Sequence, residues 1–426
     1  MANDLHDSRW PNGRTPGQFA ERHAAGGFNP ADMRLKALAA ISLSASNQLD
    51  PLLQLALDGL PAMHRNGIFG HTLRGLHSTS GWNTRLEGES IRYAAMVALG
   101  LSRVSDEVQR RVLGFGNAID LARMTAQRAE ASQDIGALAV AAWATVEVSG
   151  DRPSALFLKL RDYLAADVPI ATVACSWALT AAVAAWGWGP AIEVAHLARR
   201  KLLSGWSGSG IFPHVLPSTS AGWVRGHIGS FADQVYPIQA LARFHVVTNN
   251  REAFTIAETC AETICAHQGP QGQWWWHYDA RTGQVTEGYP VYSVHQHAMA
   301  PMVLHELHQA GGKDRLSAIV KGLHWIYVHP ETSAQLIDAE QGVIWRKVAR
   351  REPGKAVRGA AAMTTAFFPG LRFPRLVNYI FPPIRVDYEC RPYELGWLLY
   401  AWLSSDVVTE LALQAGTENN QKAREG

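Results

Sequence analysis

The densest run of chemistry-bearing side chains lies between Gln273 and His295. Three consecutive tryptophans, Trp274 to Trp276, lead into His277, Tyr278 and Asp279, and then into Glu287, Tyr292, His295 and Gln296. Three adjacent Trp side chains cannot all face one core. At least one is expected to meet a ligand or another loop, as a sugar-stacking platform or as loop packing. Trp276 and Tyr278 are the expected stacking surfaces, with Tyr292 and Gln296 as further binding groups. Asp279 to Gly283 reads as a tight turn with strand-like flanks, so a small β-hairpin is expected there. His295 and His297 are two apart at a helix start and diverge by roughly 200°, a poor metal pair. His295 is instead an expected proton carrier, kept neutral by the positive end of its helix.

Carboxylates recur at the polar starts of otherwise apolar segments. Asp233 heads Asp-Gln-Val-Tyr236 and is the first-choice catalytic acid or base, with a helix cap as its plain alternative. Glu89 is its expected partner. The cluster Glu89, Arg92 and Tyr93 reads either as a structural network or as a site for an anionic sugar. Asp134 looks more like a pure cap, yet shares the same setting. Arg391-Pro-Tyr393-Glu394 opens the last apolar segment; Tyr393 and Glu394, like Asp134 and Tyr236, are expected to face the substrate, and Arg92 and Arg391 would suit one that carries a carboxylate. A pair of carboxylates across one pocket is also what glycoside cleavage uses.

What must position these residues is a helical scaffold. Two kinds of helix alternate along the chain. One is amphipathic, as in Ser105 to Leu113, Pro153 to Leu164, Ile192 to Leu203, Arg251 to Cys265 and Asp314 to Ile326. The other is apolar all round after a polar start at Glu89, Asp134, Cys175, Asp233, Ser293 or Arg391, and must be surrounded by protein. Six such pairs make an all-α, double-walled (α/α)6 toroid, with the polar starts opening into one pocket and the β-hairpin at its mouth. The uneven intervals between starts disfavour an open solenoid, which repeats more regularly. The expected organisation is an N-terminal extension over 1–47, the toroid over 48–405 and a disordered tail over 406–426.

The pattern resembles the (α/α)6 toroid superfamilies. Tyr292-Ser-Val-His-Gln296-His-Ala-Met299 is similar to the Tyr-Ser…Gln…Ala-Met stretch of glucuronyl C5-epimerases. Ser132-Gln-Asp134-Ile-Gly136 looks like the Asn-x-Asp-x-Gly helix start of unsaturated glucuronyl hydrolases. Gln268 to Trp274 resembles one copy of the repeat signature of the terpenoid cyclase and prenyltransferase toroids. That branch's Asp-rich motifs are missing, and no two Asp residues are adjacent anywhere in the chain. The resemblance implies an enzyme acting on an acidic polysaccharide or a lipid-linked glycan by hydrolysis, elimination or epimerisation. The alternatives are a cyclase-like enzyme and a glycan-binding toroid without catalysis.

Composition narrows the partners. Lys+Arg at 39 against Asp+Glu at 37 is too balanced for phosphate-backbone binding, so no nucleic acid is expected. Four cysteines make neither a disulfide framework nor a zinc site, and no metal or cofactor is expected. Met1-Ala-Asn-Asp carries no signal-peptide pattern, and the reading is cytoplasmic. The uncharged stretch Val168 to Ile192 is long enough to span a bilayer, but reads better as a buried helix. The Pro-broken, basic and apolar insertion over 359–383 is expected to pack over the toroid or to dip into the inner membrane face. Oligomeric state is left open.

Overall fold

A computed structural model describes residues 32–78 and 81–425. Among the described residues the chain forms 18 helices: α1 Met33–Ile41, α2 Leu43–Gly59, α3 Ile91–Leu101, α4 Asp106–Leu113, α5 Ala118–Glu130, α6 Ile135–Ser149, α7 Ser154–Ala165, α8 Thr172–Ala184, α9 Gly189–Ser204, α10 Gly222–Arg225, α11 Ala232–Thr248, α12 Arg251–Ala266, α13 Ala300–Gln309, α14 Leu316–Trp325, α15 Ala356–Phe367, α16 Pro374–Ile380, α17 Pro392–Leu403 and α18 Val407–Glu425.

Helix-to-helix packing closes a ring. The inner wall runs α3, α6, α8, α11, α13 and α17, each packed on the next, and α17 returns to α3. The outer wall is α2, α5, α7, α9, α12 and α14. This is the (α/α)6 toroid, and its six inner helices begin where the polar starts in the sequence fall. Local chemistry explains the starts. Ser90 caps α3 by accepting from the Tyr93 amide, and Asp134 caps α6 by accepting from the Gly136 amide. The seam between first and last inner helices needs glycine on both sides. A Cβ on Gly100 would lie 2.2 Å from the Gly396 carbonyl oxygen.

Two expectations change. The segment Ser105 to Leu113 is helical, but it is short; Gly114, in the left-handed region at φ 67°, ends it, and the Asn117–Asp120 capping box starts the true outer helix α5. The tail expected to be disordered forms α18 instead. Its residues Val407, Leu411 and Ala415 recur every fourth position and are buried, and the helix packs on α11. Of the N-terminal extension, residues 1–31 lie outside the described residues. Among the described residues no helix is long and apolar enough to cross a membrane, and Val168 to Ile192 divides between α8 and α9.

Short strands ring the mouth. The expected hairpin is present, with His277 opposite Glu287 and Tyr278 opposite Val285. It gains a third strand, Ile228–Ser230, which runs directly into α11. A second sheet joins Val291–Tyr292, Lys347–Ala349 and Arg385–Asp387, and a third joins Glu389–Cys390 to the paired strands Thr72–Ser78 and Gly81–Glu87.

Candidate active site at the mouth of the toroid

A cavity of about 530 Å³ opens where the inner helices begin. Of the residues singled out from sequence, Glu89, Arg92, Tyr93, Asp134, Tyr236, Trp276, Tyr292, His295 and Tyr393 line it. They come from five of the six inner helix starts and the tryptophan loop. The sixth inner helix, α8, adds Val173 and Trp177.

One wall is aromatic. Trp276 lies 4.6 Å from Tyr292 and stacks on His295 at 5.7 Å, and His295 lies 4.5 Å from Phe231. Burial holds the His295 imidazole down at about 3, so it is neutral at pH 7 and its Nδ1 has no partner among the described residues. Opposite, Tyr93 meets Tyr393 at 4.8 Å, and Trp177 meets Tyr236 at 5.1 Å. The Tyr236 hydroxyl accepts from Trp397 Nε1 below the cavity floor.

The other groups are charged. Arg92 grips Asp134 with two hydrogen bonds, one of them Nε to Oδ2 at 2.7 Å, and lies over Trp177. Burial pushes the Asp134 carboxyl up, but the hydrogen bonds and charge of Arg92 outweigh it and hold the group below its ordinary range. Glu89 sits on the rim and accepts from Arg128 at 2.8 Å. Arg346, from the loop after Trp345, reaches in over the Tyr292 ring at 5.0 Å. Behind it lies Glu394, whose Oε1 is 3.5 Å from Arg346 Nε. Burial raises the Glu394 carboxyl to about 7, against the pull of Arg346 and Arg391.

Five sequence expectations are corrected. Asp233 is fully buried and does not reach the cavity. Its Oδ2 accepts from the Ser230 amide, the Ser230 hydroxyl and His214 Nδ1, which fixes the entry into α11. These bonds run back to residues before α11, whose N-cap is Phe231 without a side-chain cap bond, so Asp233 braces the helix entry without being its cap. Tyr278 is fully buried, as is the whole of its strand, and does not line the cavity. Gln296 is consumed locally: its Oε1 accepts from the Trp274 amide and its Nε2 donates to the Tyr292 carbonyl. Arg391 stands one layer back, donating to the Tyr93 hydroxyl at 2.8 Å. Glu394 has no exposed surface. Asp233 and His295 nonetheless sit at the same end of the toroid, as one shared mouth requires.

Among the wall residues not singled out from sequence are His71, Met96, Trp177 and Arg346. Arg346 directly follows Gly342-Val-Ile-Trp345, a glycine closely followed by an aromatic as in Gly210-Ile-Phe212 and Gly272-Gln-Trp274, and Trp177 stands in a polar helix start, so both had a signal. His71 and Met96 had none. Among the described residues no three His, Cys, Asp or Glu side chains converge as metal ligands.

No protein-family model matches the chain. No curated protein matches it. Solved structures do. An unsaturated glucuronyl hydrolase from Bacillus sp. GL1, described as responsible for the degradation of glycosaminoglycan, aligns with a TM-score of 0.51 at 16% identity, over 86% of this chain and 98% of that one. The likeness is one of fold. An unsaturated glucuronyl hydrolase specific for heparin gives 0.50 at 12% identity over 85% and 97%, and a mutant unsaturated glucuronyl hydrolase from Streptcoccus agalactiae gives 0.50 at 12% over 84% and 90%. The toroid inferred from the alternating helices is thus shared, as a fold, with these structures.

Proposed function

We propose that the protein is a carbohydrate-active enzyme that takes an acidic sugar into the mouth cavity. The observation that carries this reading is the lining itself: stacking faces from Trp276, Tyr292, Tyr93 and Trp177 alternate with the guanidinium groups of Arg92 and Arg346. Pyranose rings bind aromatic faces, and a sugar carboxylate binds guanidinium. The structural neighbours, named for action on glucuronyl substrates, support the same class. A hydrocarbon-folding cavity has no use for a guanidinium–carboxylate pair on its wall, which speaks against the cyclase alternative.

Chemistry at the carbon beside the carboxylate fits these residues best. A sugar carboxylate paired with Arg346 would bring its C5–H toward Tyr292 and His295. A side-chain base removes that proton, and the neutralised carboxylate takes up the electron pair. The C4–O bond then breaks as its oxygen gains a proton, or a proton returns to C5 from the opposite face. The tyrosines at 93, 292 and 393 supply several hydroxyls for such transfers. Hydrolysis is the second reading, favoured by Asp134 at a helix start that resembles the hydrolases' catalytic one. Both wall carboxylates, Glu89 and Asp134, are engaged by arginines, which makes neither a ready proton donor.

The test is incubation of uronate-containing oligosaccharides with the protein in D₂O. Elimination gives an ultraviolet-absorbing unsaturated sugar, epimerisation gives deuterium at C5, and hydrolysis gives new reducing ends alone. On an unsaturated substrate, hydrolysis removes absorbance. Binding without any product would leave the non-catalytic toroid, and no binding of uronates would end the proposal.

A further inference from the structure

The insertion between the strands Lys347–Ala349 and Arg385–Asp387 is a helical hairpin, α15 and α16, that the mouth cavity does not use. It is anchored on one side. Arg350 reaches into the toroid to Glu287 at 2.8 Å and back to Asn378 at 2.8 Å, and Trp223 of α10 packs on Phe367 at 5.0 Å. The rest of the hairpin exposes large apolar side chains, of which Phe373, Leu376 and Ile380 also line a groove against Thr286, Glu287 and Gly288. Phe368, Phe373, Leu376, Tyr379 and Ile380 each show more than half of their surface to solvent, Tyr379 87%. Such a concentration of large apolar side chains is far beyond the scattered ones of an ordinary surface.

Charge identifies the occupant. Arg351, Lys355, Arg372, Arg375 and Arg385 are exposed around this patch, and Glu352 is the one acidic residue between 350 and 385. Phenyl and isobutyl groups flanked by arginine and lysine are the composition of an element that lies in a bilayer interface, with apolar groups among the acyl chains and cations at the phosphates. A second copy of the chain meeting this face about a two-fold axis would set like charges against each other, which disfavours self-association. We propose that the hairpin over 350–385 docks the toroid on an anionic lipid bilayer. The docking element and the cavity wall share one sheet, because the strand at its stem, Lys347–Ala349, pairs with Val291–Tyr292. The docking holds whether or not the cavity turns over a glycan.

Co-sedimentation with vesicles tests it. The full chain is expected to pellet with phosphatidylcholine vesicles containing phosphatidylglycerol, to stay in solution with phosphatidylcholine alone, and to be released by salt. Each basic side chain near such a surface strengthens partition by a factor of about five, so Arg375→Glu with Arg385→Glu should weaken binding at least about tenfold. Phe368→Ser with Tyr379→Ser should weaken it comparably, and both pairs, being exposed, should unfold at the wild-type denaturant midpoint. Failure of the wild-type chain to bind anionic vesicles overturns the proposal. So does unchanged binding by the charge-reversed variant, or a wild-type dimer that the Phe368→Ser, Tyr379→Ser variant dissolves.

Discussion

The two ends of the toroid are built from the same six inner helices and solve opposite problems. At the far end, the last turns of those helices bring together Glu147, Arg243, Glu306 and Tyr400, all buried or nearly so. Both oxygens of each carboxylate are used there. Glu147 accepts from Arg103, Tyr400, Trp143 and Arg243, while Glu306 accepts from Arg243 and Gln239. Arg34 of α1 closes over this floor, donating to the Ala401 carbonyl and to Ser404 and Gln309. At the mouth, by contrast, His295 Nδ1, Trp276 Nε1 and Trp177 Nε1 are buried without a partner among the described residues. Arg34 Nε, Arg103 Nε and Gln239 Oε1 are also open at the floor, but there every carboxylate oxygen is taken, whereas the open groups at the mouth border a cavity that can receive a ligand.

The contrast is sharpest in two glutamates. Burial pushes both up, but at the floor Arg243 and Arg103 overcome it and hold Glu147 at about 2. Near the mouth the arginines are less well placed, and Glu394 stays at about 7. Equal burial therefore gives an anion in one place and a group near half-protonation in the other.

The largest expected effect is at the floor. Arg243→Met removes the shared guanidinium and leaves two buried carboxylates facing each other, which should cost about 3–5 kcal/mol in urea unfolding. Arg92→Met at the mouth removes a pair whose members are each 40% exposed, and should cost no more than about 1 kcal/mol. Equal losses would erase the distinction between the two ends.

Next comes pH. Glu394 has a folded-state pKa above its unfolded value, so the folded state binds the extra proton between about 4.5 and about 7. Its contribution is fully present at low pH and is lost as pH rises through that window, by up to about 3 kcal/mol. Glu147 works with the opposite sign, present above about 4.5 and lost as pH falls toward about 2. Glu394→Gln should therefore gain stability relative to wild type as pH increases from 5 to 7 (about two units of the window). A difference that stays flat over this range would show that Glu394 is ionised throughout.

Ligand binding follows. Arg92→Ala should weaken an anionic oligosaccharide by about 1.5–3 kcal/mol in calorimetry and leave a neutral one of the same length nearly unchanged. An equal loss for both would remove the charge-recognition argument and leave stacking alone.

The two ends also differ in how far the sequence exposes them. The six inner helices are legible because being apolar on every side has one explanation, enclosure, and a polar start marks each N-terminus. The mouth is half legible for the same reason, since Tyr93, Asp134, Tyr236, His295 and Tyr393 follow from helix starts. Asp233 misleads because a bracing carboxylate and a reactive one look alike until Ser230 and His214 are seen around it. The floor was not legible at all. Arg243 and Glu306 pair across 63 positions, and nothing in either local sequence reports a partner so distant. His71 reaches the wall by the same kind of long-range placement.

The smallest expected effect separates two neighbours in the tryptophan loop. Trp276 and Tyr278 are two residues apart, so in an extended segment they share a face, and the sequence treats them as one stacking platform. The structure does not: the strand begins only at His277, and Trp276 turns to the cavity beside Tyr292 while Tyr278 is enclosed in the core. Tyr278→Phe keeps the ring and its packing, so affinity for a uronic oligosaccharide should not change measurably and stability should shift by about 1 kcal/mol or less. Trp276→Phe trims a face that would touch the sugar, and should weaken binding by about 0.5–1.5 kcal/mol without destabilising the fold to the same degree. If Tyr278→Phe proves the more damaging to affinity, the sugar lies deeper in the sheet than the cavity, and the wall described above is not its binding surface.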